Sequence, residues 1–546
     1  MTAFGGPARE KIARSLFPSA ARSGWMIYMN HVISKRLPGN ELENRSIFAE
    51  DMKTRLLALA AILLVMTGCH RRVGPTPLDP ETEATYRSVN MFAMNTMRQY
   101  YLWVSEISDK LSAWKSDEEP ISKVREIRYK SPDGSDIDRW TQVTDDYNSF
   151  FESVNGTGLT YGFDYSFYRL DAGSDRLAMV VLYTNPEGPA EDAGLKRGDV
   201  IIAVNGEALT MSNYEAIYKE INSSDSFRFT TIDGMTSELK ARRMVQKQVL
   251  LSKTFDCTPG LTGYIHYLSF TAESCNELIK AMHSFKEEGI RQLIIDLRYN
   301  TGGLAKAEEV FISMLAPQAC VEAGDIFETS VFNDDLTELW GNDPVRFATQ
   351  FNFSTGGQEY AFDTSDANPG LDKIYFIVTG STASASEALI TELLPYTDVE
   401  LIGEDTYGKY CSGIVMNATD WYDDVKDQLK DQEYKEGRKY SENWGIYCML
   451  SRFADKNGDT PCMPAGFTVD MPCTASDNPV DGHQLGDPSE TMLALALERA
   501  GYKGTTKAAS ETAPAGPAAL FEGPSRPSRP GEHIMLREAP ALTRTH

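Results

Sequence analysis

Between residues 255 and 502, short apolar runs alternate with segments of helical period. Stretches 263–270, 293–297 and 374–378 read as strands, and 276–285 and 305–315 as helices. The runs 293–297 and 374–378 are continuously apolar, as expected of strands covered on both faces, so the pattern predicts an α/β core with parallel strands. After the second run come Ala388, Leu389, Leu393 and Leu394 at helical spacing. A cluster of small and hydroxylic residues therefore sits where a strand turns into a helix. Upstream, Val89, Phe92, Met97, Tyr101 and Val104 predict a helix over 89–107, and Thr141 is the candidate N-cap of another reaching 153. Beyond Tyr502 the chain is rich in Ala, Pro, Ser and Arg without periodicity, so 503–546 is expected to be disordered.

Length and composition add limits rather than identity. The 546 residues suffice for two or three domains, and 42% hydrophobic with 24% charged residues is ordinary for a globular protein. The formal charge of −25 argues against nucleic acid or anionic lipid as a broad-surface partner. Eight cysteines without a Cys-x-x-Cys pair make neither a disulfide scaffold nor a zinc pattern. Cys411, Cys448, Cys462 and Cys473 read as buried thiols, with one disulfide among them open in an oxidising compartment. Asp455-Lys456-Asn457-Gly458-Asp459 lacks the distal Glu of a calcium loop and reads as a polar turn. No metal and no cofactor is expected.

The N-terminal stretch has a charge order of its own. Met52-Lys53-Thr54-Arg55, an apolar run over 56–66, and Thr67-Gly68-Cys69 describe a secretory signal, the run being too short to span a membrane. Thr-Gly-Cys resembles the bacterial lipobox. That resemblance implies lipidation of Cys69, a membrane anchor, and a place in a bacterial cell envelope on the periplasmic or cell-surface side. Residues 1–51 then read as an upstream over-extension or an unstructured segment, 52–68 as the signal and 69–84 as a tether, followed by a small helical region over 85–156.

The stretch 188–206 contains Gly194, Arg197-Gly198-Asp199, an apolar run and Asn205-Gly206. It resembles a PDZ domain, placed here at 157–248. A PDZ domain takes a peptide as an added strand and holds its terminal carboxylate in a loop of backbone amides, which here falls on Tyr161, Gly162 and Phe163. Asp164 departs from the usual apolar loop. A second PDZ helix is expected over 212–221, and a hairpin turn at Asp233-Gly234.

Gly380-Ser381-Thr382-Ala383-Ser384-Ala385-Ser386-Glu387 stands ahead of Thr406-Tyr407-Gly408-Lys409, with Ser384 and Lys409 twenty-five residues apart. Upstream lies Asp296-Leu297-Arg298-Tyr299-Asn300-Thr301-Gly302-Gly303. Together these resemble the C-terminal processing peptidases, tail-specific proteases with a serine–lysine dyad. The resemblance implies a crotonase-like α/β peptidase core over 255–502 beside the β-rich α+β PDZ domain. It implies Ser384 as nucleophile, Lys409 as base, and an oxyanion hole of Gly302 or Gly303 with Ala385. Protein or peptide substrates, engaged through their C-termini, are the expected partners. Glu387 is a candidate support for Lys409. Where the family often carries a lysine-orienting Gln four residues after the lysine, this chain has Gly413, and the adjacent Ser412 is the candidate substitute. Two rivals stand beside this reading: an inactive peptide-binding lipoprotein on the same fold, and an acyl-CoA enzyme with the same oxyanion hole, which the secretion signal disfavours.

Overall fold

The computed structural model describes residues 78–171, 173–473, 477–505, 521–525 and 532–537. The signal, Cys69 and most of the tether lie outside them. Helix Pro80–Tyr100 begins earlier than the tether boundary at 84, because Asp79 accepts hydrogen bonds from the amides of Glu81 and Thr82 and proline occupies the first turn.

The central sheet has six strands in the order Val249–Asp256, Leu261–Tyr267, Gln292–Asp296, Lys373–Val378, Asp398–Gly403 and Met471–Pro472. Only the first pair is antiparallel. Alternate residues of the two central strands feed different cores. Leu293, Ile295, Ile374, Phe376 and Val378 enter one cluster with helices Ala272–Glu288 and Ala385–Leu393. Ile294, Tyr375 and Ile377 face helix Thr491–Arg499 instead. Burial on both faces explains the unbroken apolar runs.

A second sheet runs Gly303–Leu304, Met535–Leu536, Cys411–Asn417, Gly445–Asp455, Ile326–Val331 and Val345–Arg346. The stretch 141–153, expected to be one helix, is instead strand Gln142–Thr144 followed by helix Tyr147–Val154, capped by Asp146. An open edge of Gly445–Asp455 recruits the short strand, and Thr141 Oγ1 accepts from the Met449 amide. Tertiary pairing here overrides local propensity. The helical region shares the main hydrophobic cluster with the core.

The PDZ-like sheet contains Phe163–Arg169, Leu177–Thr184, Val200–Val204, Ser226–Thr231 and Thr236–Lys240, with helix Tyr214–Ser223. Asn205 and Gly206 turn at positive φ, as does Gly234. The insertion at 330–370 forms helix Asp334–Trp340 and hairpin Gln350–Thr355/Gln358–Asp363, tied to the core by Tyr360 Oη donating to Glu273.

Two short pieces of the stretch 503–546, which is expected to be disordered, are paired in sheets, and most of that stretch lies outside the described residues. Phe521–Glu522 pairs with Phe163–Arg169, and Met535–Leu536 lies between two strands of the second sheet. Neither piece has a periodic signal of its own, because sheets already built supply the partners. Among the described residues Cys257, Cys275, Cys320, Cys411, Cys448 and Cys462 are free thiols. Among those residues no helix is long and apolar enough to cross a membrane, and no cluster of His, Cys, Asp or Glu is arranged to hold a metal.

Candidate active site

Helix Ala385–Leu393 starts at the C-terminal end of strand Lys373–Val378, with Ser384 at its cap. The hydroxylic run stitches that turn to the neighbouring strand end. Thr382 Oγ1 donates to the Leu297 carbonyl and Thr379 Oγ1 to that of Arg298, while Ser386 Oγ donates to Asn300. Ser384 is held at φ 65° and ψ −117°. Such a conformation costs a non-glycine residue about 1–3 kcal/mol and persists only when its surroundings over-determine it.

Lys409 lies on the turn before strand Cys411–Asn417, and its Nζ is 3.3 Å from Ser384 Oγ. Both side chains are fully buried. Burial lowers the Lys409 ammonium to about 8, against weaker upward pulls from Cys411, Asp138 and Glu387. The apolar box includes Trp140 and Tyr447, whose ring centroids lie 5.6 and 5.1 Å from Nζ. Nζ also hydrogen-bonds Tyr447 Oη at 2.8 Å.

Glu387 acts on backbone rather than on the amine. Its carboxylate accepts from the Ser384 amide at 3.0 Å, the Gly408 and Lys409 amides at 2.7 Å each, and Thr406 Oγ1 at 2.6 Å. One buried carboxylate thus fixes the cap carrying the serine and the turn carrying the lysine. Burial raises its pKa, and these donors oppose the rise. Gly408 must be glycine: at φ 86° a Cβ would lie 2.7 Å from the Gly466 nitrogen.

The Gly302–Gly303 turn closes the site from the other strand. The Gly302 amide is taken by Asn300 Oδ1 at 2.9 Å, and the Gly303 amide donates to the Ile534 carbonyl at 2.6 Å. Ala385 opens the helix, where an amide has no intrahelical acceptor. A Cβ on Gly302 would strike Ser384 Cβ at 2.8 Å.

Ser412 does not reach the lysine. Its hydroxyl pairs with Ser451 Oγ at 2.8 Å, because the strand turns it away, and Tyr447 from the facing strand occupies the amine instead. Sequence reasoning misses Tyr447, which looks like any buried aromatic of a strand. The role of Asn300 as acceptor for Gly302 is missed too, although the residue lies within a quoted motif.

His266 is buried in its strand, with its pKa depressed to about 4 by burial, and His483 Nδ1 faces Asp487 at 3.3 Å. In the PDZ loop the Gly162 amide is taken by Thr160 Oγ1, Tyr161 Oη donates to the Ser224 carbonyl, and Phe163 is buried. The loop packs on Pro189, where a Cβ on Gly162 would meet Cδ at 3.1 Å.

A buried ionic network links the two domains. Arg298 binds Asp296, Asp477 and Glu490, while Arg197 of the PDZ-like domain binds Asp477, the Tyr299 hydroxyl and the Leu182 carbonyl. Burial alone would raise the pKa of Asp296, but Arg298 overrides it and holds the group below the usual carboxylate range. Beside this joint a cavity of about 190 Å³ is lined by Asp164, Tyr183, Tyr299, Gly302, Gly303 and Glu532, among others.

A serine and a buried lysine at a strand–helix switch, beside a glycine amide, are groups that acyl-transfer chemistry can use. Residues 261–446 match the model of peptidase family S41 and residues 180–230 that of a PDZ domain. One stretch of the chain is thus similar to peptidase family S41 and another to a PDZ domain. The chain is 22% identical over 338 residues to a protein of Staphylococcus aureus strain N315 named "Probable CtpA-like serine protease", covering 58% of this chain and 62% of that one. It is 28% identical over 228 residues to the "Carboxyl-terminal-processing protease" of Synechocystis, covering 40% of this chain and 47% of that one. The chain thus spans less than two thirds of these relatives. A solved structure from Bacteroides fragilis NCTC 9343, titled "Putative S41 protease", shares the fold with a TM-score of 0.55. It is 19% identical, and the match covers 78% of this chain and 98% of that one.

Proposed function

We propose that the chain is a lipid-anchored, extracytoplasmic serine endopeptidase acting on proteins or peptides, with Ser384 as nucleophile and Lys409 as base. The observation that carries this reading is the fully buried Lys409 amine 3.3 Å from Ser384 Oγ, lowered to about 8 by desolvation. Such an amine is neutral in roughly a tenth to a fifth of molecules near physiological pH, against about one in a thousand for a free lysine, and only the neutral form can act as base. Ser384 Oγ attacks the scissile carbonyl and its proton passes to Lys409. The oxyanion receives the Gly303 and Ala385 amides. The C–N bond breaks, the leaving amine takes the proton, and water activated by the same lysine hydrolyses the acyl-enzyme.

The PDZ-like domain assists by offering strand Phe163–Arg169 as an edge for peptide addition. Hydrolysis of a quenched peptide with a free C-terminus, and of its amidated twin, by wild type and Ser384→Ala tests both roles. The reading predicts activity only in wild type, with the free-ended peptide preferred. Activity in Ser384→Ala would refute the nucleophile, and equal rates on the twins would remove carboxylate recognition from the PDZ-like domain.

The anchor rests on the order of charged, apolar and small residues ending at Cys69. Cys69→Ser is expected to move the protein from the membrane to the soluble fraction or to leave it unprocessed. A variant that fractionates and migrates like wild type would exclude lipidation there.

A further inference from the structure

The described part of the C-terminal tail lies in the site itself. The Ile534 carbonyl accepts a 2.6 Å hydrogen bond from the Gly303 amide. A Cβ built on Gly302 would sit 2.5 Å from the Ile534 oxygen and 3.2 Å from Ser384 Oγ, so carbonyl and nucleophile flank the same glycine. On the other side of that peptide bond, the Met535 amide donates to Tyr447 Oη at 3.2 Å. Tyr447 Oη is 2.8 Å from Lys409 Nζ and donates to the Met535 carbonyl at 3.1 Å. The bond between Ile534 and Met535 thus has its oxygen on the oxyanion amide and its nitrogen beside the tyrosine that touches the base.

The flanking residues are held as a substrate would be. Met535 and Leu536 run parallel to Gly303–Leu304, Leu536 also faces Gly413, and the Arg537 amide donates to the Gly413 carbonyl at 3.0 Å. Ile534 and Met535 are fully buried, and the His533 ring stacks on Tyr407 at 4.1 Å between centroids. Arg537 enters a pocket where its guanidinium binds Glu328 and Ser330. Buried Glu308 and Glu392 lie in the same cluster, pushed well up by burial and by neighbouring carboxyls, so a cation is welcome there. Upstream, Phe521–Glu522 pairs antiparallel with Phe163–Arg169, the edge on which a PDZ domain adds a peptide. Two separate parts of one tail therefore occupy the two places where a substrate would bind. A tail that merely filled space would not hand its carbonyl to the Gly303 amide beside the glycine that faces Ser384.

We propose that this chain is its own substrate, cleaved between Ile534 and Met535. The proposal rests on the serine–lysine reading above. Ser384 Oγ bonds to the Ile534 carbonyl carbon, and its proton passes to Lys409. The C–N bond to Met535 breaks, the Met535 nitrogen takes that proton through Tyr447, and the peptide 535–546 is released. One water then hydrolyses the Ile534 ester, leaving a carboxylate at Ile534 and a free Ser384. The same contacts define the preferred substrate: an apolar residue before the bond, two apolar residues after it, and arginine third.

Intact mass and C-terminal peptide mapping of purified full chains test this, alongside hydrolysis of an added peptide of unrelated sequence. Wild type is expected to end at Ile534, and Ser384→Ala to extend to His546. Arg537→Glu takes the guanidinium from Glu328 and Ser330 and buries a further carboxyl beside Glu308 and Glu392, so cleavage of the tail should slow by at least about tenfold while the added peptide is still hydrolysed. A wild type that hydrolyses the added peptide yet keeps the 534–535 bond overturns self-cleavage and leaves the dyad standing. If only Arg537→Glu hydrolyses the added peptide, the tail is a persistent inhibitor and self-cleavage is likewise overturned. Cleavage of Ser384→Ala at the same bond assigns the cut to another protease. Inactivity of both wild type and Arg537→Glu on the peptide, with tails intact, refutes the dyad reading together with the proposal.

Discussion

Lys409→Met is expected to lower peptide hydrolysis by on the order of 10⁴-fold or more while leaving the fold intact, since residues acting as a catalytic unit cannot be removed singly without losing most of the rate. Lys409→Arg should be equally inactive, because a guanidinium does not release its proton. The wild-type rate should rise with pH through about 8 and level off above it, as only the neutral amine accepts the serine proton. The same desolvation makes a stability prediction of defined sign. The folded pKa of Lys409 lies below the unfolded one, so the folded state carries a penalty that is complete below about pH 8 and fades as pH rises towards the free-lysine value of 10.5. Methionine removes that penalty. Lys409→Met should therefore gain on the order of 3 kcal/mol at pH 7, and progressively less in alkali. Urea unfolding at several pH values and a pH–rate profile check both statements. Substantial activity in Lys409→Arg would exclude the lysine as base, and a methionine variant less stable than wild type at pH 7 would contradict the desolvation of the amine.

The second large effect is expected at Arg298. Its guanidinium is fully buried and donates to Asp296 and Glu490 through bonds of 2.6–3.1 Å, with Asp477 also at 3.1 Å. Arg298→Met leaves three carboxylates without that partner, and removing one member of a buried ion pair costs about 3–5 kcal/mol. The loss should appear as a lower urea midpoint, and activity should fall with it, since the Arg298 and Leu297 carbonyls receive the Thr379 and Thr382 hydroxyls of the nucleophile turn. Arg298→Lys restores charge without the planar fork and should recover only part of the loss. A midpoint unchanged in Arg298→Met would show that the network contributes specificity of packing rather than stability.

These expectations separate the serine–lysine reading from its rivals. A peptide-binding scaffold without chemistry would not respond to Lys409→Arg. Neither His266 nor His483 is hydrogen-bonded to Ser384, whose hydroxyl meets Lys409. The first is buried in a strand and the second faces Asp487.

What the sequence carries by itself is what short-range order encodes. Continuous apolar runs at 293–297 and 374–378 specify strands covered on both faces, and the small residues after the second specify a tight strand–helix turn. The Ser-Ala-Ser-Glu and Gly-Lys signatures are legible because each lies within one such turn, where backbone geometry restricts the residue types allowed. The helix expected over 141–153 shows the limit of local reasoning: an open sheet edge, invisible in sequence, claims 142–144 as a strand. Tyr447 illustrates the same limit within the site. It approaches Lys409 only because two strands pair antiparallel, and alternation along its own strand gives no sign of that neighbour. Ser412, nearer to Lys409 in sequence, is carried away by the same pairing. The tail is the extreme case. Ile534, Met535, Leu536 and Arg537 are too few to declare any structure, and they become a strand because two others leave a gap of the right width, with buried carboxylates waiting at its end. Local pattern selects the elements and the chemistry each bears. Which groups meet is decided by long-range pairing and burial, since these alone set the distances between Oγ, Nζ, amide and carbonyl.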